Sequence, residues 1–302
     1  MNSVSVIMST YNGEKYIEKQ IESIIKQKNV KVSCLIRDDG SNDSTIKIIK
    51  ELQKKYTNIT LLEGKNIGWE KSFLYALQAS PKADYYAFSD QDDIWFDNKL
   101  INGINHFSTS LLNIPTMYHC NKVTVDEQLK PLAHQIKRLP CPLNRKNAMI
   151  QEYAQGCSII INNAARNLVL QKIPHTKIAH DFWIGMICFL FGKVIYDPTP
   201  QFYHISHGTN ASCEGNLKKS WQARLKKYFS HSNVYYAPVQ DLLNCPSYNS
   251  LLSQEDKSFI KKIISYKSNI WDKLSLLISP QFRRASFLGT LSLKISILLN
   301  KL

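Results

Sequence analysis

The chain has 302 residues, of which 44% are apolar and 21% charged, with Lys plus Arg at 38 against 24 for Asp plus Glu. That balance excludes a disordered or fibrous chain and leaves room for one large α/β domain or two modest ones. The net charge of +14 asks for an anionic partner, whether nucleic acid, phospholipid or nucleotide.

The first element is an apolar, β-branched run, Val4 to Met8, read as a strand and not as a signal peptide because no basic leader precedes it. The loop Ser9-Thr10-Tyr11-Asn12-Gly13 follows, then a helix carrying Ile17, Ile21, Ile24 and Ile25. The unit repeats: a strand from Lys31 to Ile36, a turn at Asp38-Asp39-Gly40-Ser41, and a helix from Ser44 to Tyr56. A third strand spans Ile59 to Glu63. After the loop Lys65 to Gly68 come a helix from Lys71 to Ala79 and a buried strand from Tyr85 to Ser89. Alternating strands and helices predict a parallel sheet covered on both faces, with the ligand crevice beyond the carboxyl ends of the strands.

Polar residues gather at those ends: Thr10 after the first strand, Asp38 and Asp39 after the second, and Asp90-Gln91-Asp92-Asp93 after the fourth. Beyond residue 110 the alternation loosens. Strands are expected at Thr116 to Asn121 and Cys157 to Ile161, a basic, Pro-containing loop at Lys130 to Arg145, and an apolar helix at Phe182 to Phe191. That helix is about half of the ~20 residues a bilayer span needs. His204 and His207 read as members of a polar loop. From Lys218, and again from Lys257 to the end, basic residues interleave with aromatic ones, and Leu291 to Leu302 shows helical spacing. Such helices lie flat on anionic membrane surfaces, or pack on the catalytic domain with a solvated face. The seven cysteines are scattered without a C-x-x-C pair, as suits reduced thiols in the cytoplasm.

Two carboxylates one residue apart at a strand end, Asp90 and Asp92, offer hard oxygen ligands for Mg²⁺ or Mn²⁺ bridging a diphosphate. The bland alternative is an acidic cap for a helix starting near Phe96. Asp181 is either the cap of the helix at Phe182 or a general base facing an acceptor. Gly156-Cys157 has the look of a strand start.

The segments Val4 to Asn12, Arg37-Asp38-Asp39-Gly40-Ser41, Asn66-Ile67-Gly68 and Ser89-Asp90-Gln91-Asp92-Asp93-Ile94-Trp95 together resemble family 2 glycosyltransferases of the GT-A fold. With Gln155-Gly156-Cys157, His180-Asp181 and His207-Gly208-Thr209-Asn210, the pattern is most similar to bacterial rhamnosyltransferase-type members that build surface polysaccharides. The resemblance covers residues 3 to 210. It implies a GT-A catalytic domain over residues 1–215, with nucleotide-sugar binding in 1–110 and acceptor binding in 111–215; the composition of residues 216–302 reads separately as a helical, membrane-associating region.

The implied reaction is an inverting, Mn²⁺- or Mg²⁺-dependent transfer from a nucleotide-diphosphate sugar, dTDP-rhamnose or a UDP-hexose. The acceptor is a saccharide or undecaprenyl-diphosphate-linked hydroxyl at the anionic inner face of the cytoplasmic membrane. Thr10, Tyr11, Asn12, Asp39, Gly68, Asp90 and Gln91 match donor-binding positions, Asp92 and His207 metal positions, Asp181 the general base, and Trp95 and His180 the acceptor side. Related sequences often read Tyr-Arg-x-His where this chain has His204-Ile205-Ser206-His207, so either a lysine elsewhere helps the diphosphate leave or its departure is less well stabilised. A sugar nucleotidyltransferase would carry a glycine-rich phosphate loop, and Ser9 to Gly13 has one glycine. A nucleic-acid groove would keep acidic groups off its ligand edge, which is where this chain collects them.

Overall fold

The computed structural model describes residues 1–133, 135, 139–207 and 235–302. Eight strands form one mixed sheet in the order β3-β2-β1-β4-β7-β6-β8-β5. The first half is the expected alternation: β1 (Ser3–Thr10), α1 (Ile17–Ile25), β2 (Lys31–Asp38), α2 (Thr45–Lys55), β3 (Ile59–Glu63), α3 (Trp69–Ala79) and β4 (Tyr85–Ser89). β1 runs parallel to both β2 and β4, pairing Thr10 with Asp38 and Met8 with Ser89. The carboxyl ends of three strands therefore share one edge.

The side-chain period of two sorts β1 cleanly. Val4, Val6 and Met8 face Ile17, Ile21 and Ile24 of α1, while Ile7 joins Phe73, Phe88 and Trp183 on the opposite face. Both faces are buried, which is why the strands read as continuous apolar runs.

The second half departs from the sequence reading. The acidic segment does not cap a helix near Phe96: Asp93–Trp95 forms a short strand, β5, and α4 (Lys99–Ile104) starts only at Lys99. β5 pairs antiparallel with β8 (Lys193–Ile205), so Asp93 lies opposite His204 and Trp95 opposite Phe202. His204 is thus a strand residue and not a loop residue, and it is buried. β6 (Thr116–Val125) and β7 (Ile159–Asn162) complete the sheet, β7 running antiparallel to β4.

Helices α5 (Arg145–Ala148), α6 (Asn163–Val169) and α7 (His180–Phe191) cover the Ile7 face. Of these, α7 is apolar around its circumference because it is enclosed. Beyond it come α8 (Tyr236–Asn244), α9 (Pro246–Leu251), α10 (Gln254–Ser265), α11 (Ile270–Ile278) and α12 (Phe287–Leu298). Leu242, Tyr248, Ile260, Ile263, Leu276 and Ile297 join the same core cluster as Trp183 and Phe73, so the C-terminal helices pack on the sheet-bearing part of the chain. The basic aromatic stretch from Lys218 to Phe229 lies outside the described residues.

Ion pairs tie the C-terminal helices to the rest of the chain, Lys146–Glu255 and Lys172–Asp241 among them, and the Arg145–Asp256 pair is the best bonded. Arg145 grips the buried Asp256 carboxylate through Nε at 3.0 and 3.1 Å and Nη2 at 2.8 Å, while its Nη1 donates to the Leu190 carbonyl at the end of α7. Asp256 also closes a capping box with Ser253 at the start of α10. Burial pushes this carboxyl up, but the Arg145 and Ser253 hydrogen bonds win and hold it below the usual carboxylate range. The native state then binds the proton less readily than the unfolded chain. The stability this group supplies is present above the ordinary carboxylate pKa and is lost as pH falls through the lowered native value. Asp256→Asn is expected to cost about 2–3 kcal/mol near neutral pH. In urea unfolding that deficit shrinks as the pH falls into the acid range.

Candidate functional site

The site is assembled where β1, β2 and β4 end. Gln91 joins two of them: its Oε1 accepts from Thr10 Oγ1 at 2.6 Å and from the Tyr11 amide at 2.9 Å, while its Nε2 donates to the Tyr11 carbonyl at 3.2 Å. The Tyr11 ring remains exposed. Asn12 adopts a left-handed backbone, φ 48°, and its Oδ1 accepts from the Asn42 amide at 2.9 Å, binding the first loop to the β2–α2 turn. The Thr10–Gly13 loop is therefore held from both sides by side chains, as a preorganised ligand loop requires.

Asp38 and Asp39 divide their tasks. Asp38 accepts from the Gly40 and Ser41 amides and the Ser41 hydroxyl, making the turn. Asp39 pairs with Arg37 and accepts from the Ile67 and Gly68 amides, each at 2.9 Å, so the β3–α3 loop is pinned to the end of β2. Gly68 turns there with φ +87°, in the left-handed region that favours glycine.

The acidic cluster is crowded. Ligand atoms of Asp90, Asp93 and Cys157 lie within 4.8 Å of one another. Burial, then the charges of Asp93 and Asp92, push the Asp90 carboxyl well above its ordinary value. Burial and Asp93 likewise raise Asp92, against the opposing pull of His207, whose Nε2 lies 2.7 Å from Asp92 Oδ2. His207 stacks on Tyr16 with ring centroids 4.7 Å apart. Asp93 differs. Burial would raise it, but the His204 Nδ1 contact at 2.9 Å holds it below the carboxylate range. Its Oδ2 has no hydrogen-bond partner among the described residues.

Carboxylates pushed toward protonation by one another form a site that a cation relieves, and their hard oxygens suit Mg²⁺ or Mn²⁺. The Cys157 thiol, raised well above its usual value by burial, stays protonated and is a poor ligand for such ions.

Asp181 lies in the first turn of α7, its Oδ1 accepting from the Phe182 amide at 2.7 Å and its Oδ2 from the Gly156 amide at 3.2 Å. Asp181 is not the N-cap of this helix, as one reading of the sequence had it: the helix begins at His180, the cap position is Ala179, and Asp181 lies within the first turn.

Two acceptor-side expectations are corrected. The Trp95 indole is buried, with Lys99 Nζ 3.4 Å from its ring centroid, because β5 turns it into the core beneath β8. The His180 imidazole is likewise buried, stacked on Phe73 at 3.9 Å, and burial pushes its pKa down to about 3. It is therefore a neutral ring in the wall behind Asp181. Gly156 passes it so closely that a Cβ would stand 2.4 Å from Nε2.

Sequence reasoning missed the Asp93–His204 pair, whose signal was the apolar flank of Phe202 and Ile205. It also missed Lys99, which is fully buried, donates to the Cys157 carbonyl at 2.7 Å and has no local signal at all.

Residues 5–168, more than half of the chain, match Glycosyl transferase family 2. The chain belongs to that family. The transferase is 31% identical over 278 residues to an uncharacterized glycosyltransferase of Nostoc, covering 89% of this chain and 84% of the relative. It is 44% identical over 103 residues to the dTDP-rhamnosyl transferase RfbG of Shigella flexneri, a match that spans 32% of this chain and 36% of the relative. Among solved structures, the transferase overlays on S. aureus TarS (residues 1–349) in complex with UDP-GlcNAc with a TM-score of 0.58 at 17% identity. That overlay covers 93% of this chain and 78% of that one. The mannosyltransferase PcManGT of Pyrobaculum calidifontis, in complex with GDP-Man and Mn²⁺, gives a TM-score of 0.52 at 16% identity over 98% of this chain and 79% of its own. These likenesses establish the GT-A fold of the transferase.

Proposed function

We propose that the chain is an inverting glycosyltransferase that moves a sugar from a nucleoside-diphosphate donor to a hydroxyl of a saccharide or lipid-linked acceptor in bacterial surface polysaccharide synthesis. The observation that carries this reading is the meeting of three strand ends: the Gln91-locked Thr10 loop, the Asp39-pinned Gly68 loop and the Asp90–Asp93 cluster, with Asp181 held beside Gly156. The partial match to a dTDP-rhamnosyl transferase favours dTDP-rhamnose, with UDP-hexoses next.

In this reading Thr10, Tyr11, Asn12, Asp39 and Gly68 bind the nucleotide, Gln91 sets their loop, and Asp90 approaches the ribose. Asp92 and His207 hold Mn²⁺ or Mg²⁺. Bound there, the cation supplies positive charge against the departing diphosphate. Asp181 takes the proton of the acceptor hydroxyl as that oxygen attacks the anomeric carbon, opposite the breaking bond, so the configuration inverts. The positive charge that the missing Arg leaves wanting comes from Lys122, buried on β6, whose field favours the ionised forms of Asp93 and Cys157. A lipid-linked acceptor brings the enzyme to the inner face of the cytoplasmic membrane. No helix among the described residues is long and apolar enough to cross it.

The test is thermal unfolding with UDP, dTDP, GDP and CDP, each with and without Mn²⁺ or Mg²⁺. A ligand at 100 times its Kd raises stability by about 2.7 kcal/mol. The expected result is a metal-dependent rise with one pyrimidine diphosphate that Asp92→Ala abolishes. No rise with any nucleotide overturns the reading.

A further inference from the structure

The C-terminal helices bury only one side. Leu276 of α11 and Leu293 and Ile297 of α12 are in the core, yet the outer faces of both helices are apolar as well. Ile270, Leu274 and Ile278 recur at helical spacing on α11, and Phe287, Leu291 and Ile295 on α12, all exposed. Trp271, Ile278 and Phe287 are 76%, 79% and 81% exposed, values that ordinary surface packing of such residues does not produce.

The two helices lie side by side in opposite directions. Lys273 Nζ of α11 donates to the Leu298 carbonyl at 2.9 Å, near the end of α12. Lys294 Nζ of α12 donates to the Leu276 and Ser279 carbonyls at 2.6 and 3.1 Å, at the end of α11. The two lysines hold the helices side by side, each with an exposed apolar row.

We infer that this paired face of α11 and α12 docks on the surface of an anionic lipid bilayer. Charge decides the occupant. Residues 257–302 carry nine Lys or Arg and one Asp, so the segment that bears the apolar rows is strongly cationic. A second copy of the chain would set one cationic segment against another, whereas anionic headgroups neutralise it while the acyl boundary takes the Trp, Phe and Ile side chains. The inference is independent of the donor site, because binding to vesicles needs neither nucleotide nor acceptor.

The experiment is flotation of the full chain with vesicles of phosphatidylcholine alone and of phosphatidylcholine with phosphatidylglycerol, at low and high NaCl. The protein is expected to float with the anionic vesicles and to be partly released by salt. The triple variant Trp271→Ser, Ile278→Ser, Phe287→Ser is expected to lower that partition by at least about tenfold with an unchanged melting temperature. Equal behaviour on both vesicle types, or a variant that floats like the parent, overturns the proposal. So does a concentration-dependent oligomer of the parent that the variant abolishes, since the face would then be a self-interface.

Should the triple variant fail to fold, tryptophan emission of the parent decides. A blue shift on adding anionic vesicles that Trp271→Phe removes supports docking. A shift that persists in Trp271→Phe, or none at all, overturns it.

Discussion

Asp181→Asn is expected to slow sugar transfer about 10²–10⁴-fold, the usual worth of a positioned general base, while nucleotide binding stays as in the parent. An acceptor hydroxyl ionises far above neutral pH, so its proton must leave as the new bond forms. In the proposed reaction it goes to the Asp181 carboxylate, which the Phe182 and Gly156 amides hold in place. An Asn side chain fills the same space but turns one N–H toward a backbone N–H, at a cost of about 1 kcal/mol in stability. Melting temperature reads that small loss separately. The ascending limb of the pH–rate profile, which reports ionisation of the base, should disappear. A variant that keeps its rate and its pH profile would move the base elsewhere.

The second large effect is on stability. Asp93→Ala is expected to destabilise the protein by about 3–5 kcal/mol, because it removes one partner of a buried, hydrogen-bonded pair. Asp93 and His204 are both enclosed between β5 and β8, and no solvent replaces the lost contact at 2.9 Å. Two effects oppose. Asp90 and Asp92, both raised in part by the Asp93 charge, are relieved when it goes. The loss of the buried hydrogen bond to the imidazole is the larger effect, so destabilisation dominates.

The sign with pH follows from the lowered Asp93 carboxyl. Its stabilisation is present above the ordinary carboxylate pKa and disappears as pH falls through the native value, so parent and variant should converge in acid. Asp93→Asn, which keeps an acceptor for His204, should lose less than Asp93→Ala. Denaturant unfolding of the three proteins across pH measures this order, and equal stabilities at neutral pH would show the pair to be dispensable.

The first half of the fold was legible because each element reports itself locally. Val4 to Met8 is β-branched, the isoleucines of α1 recur at helical spacing, and Asp38-Asp39-Gly40-Ser41 is turn chemistry. Parallel connection through helices then places the strand ends together with few alternatives. The candidate donor residues were legible for the same reason, since they follow strand ends in chain order. β8 was not. Gln201, Tyr203 and His204 read as polar, and only pairing with the distant β6 and β5 makes a strand of them.

The amino-acid sequence by itself determined the α/β class, the family pattern, the acidic strand end and the basic, apolar C-terminal helices. Periodicity, turn chemistry and composition are properties of short segments. The tertiary structure alone decided that Trp95 and His180 face the core, that Asp93 and not only Asp92 has a histidine partner, and that Lys99 is buried beneath the cluster. It also decided that α11 and α12 keep an apolar face outward after their inner face is packed. Burial and ion pairing depend on which distant segments meet, and no local pattern encodes that.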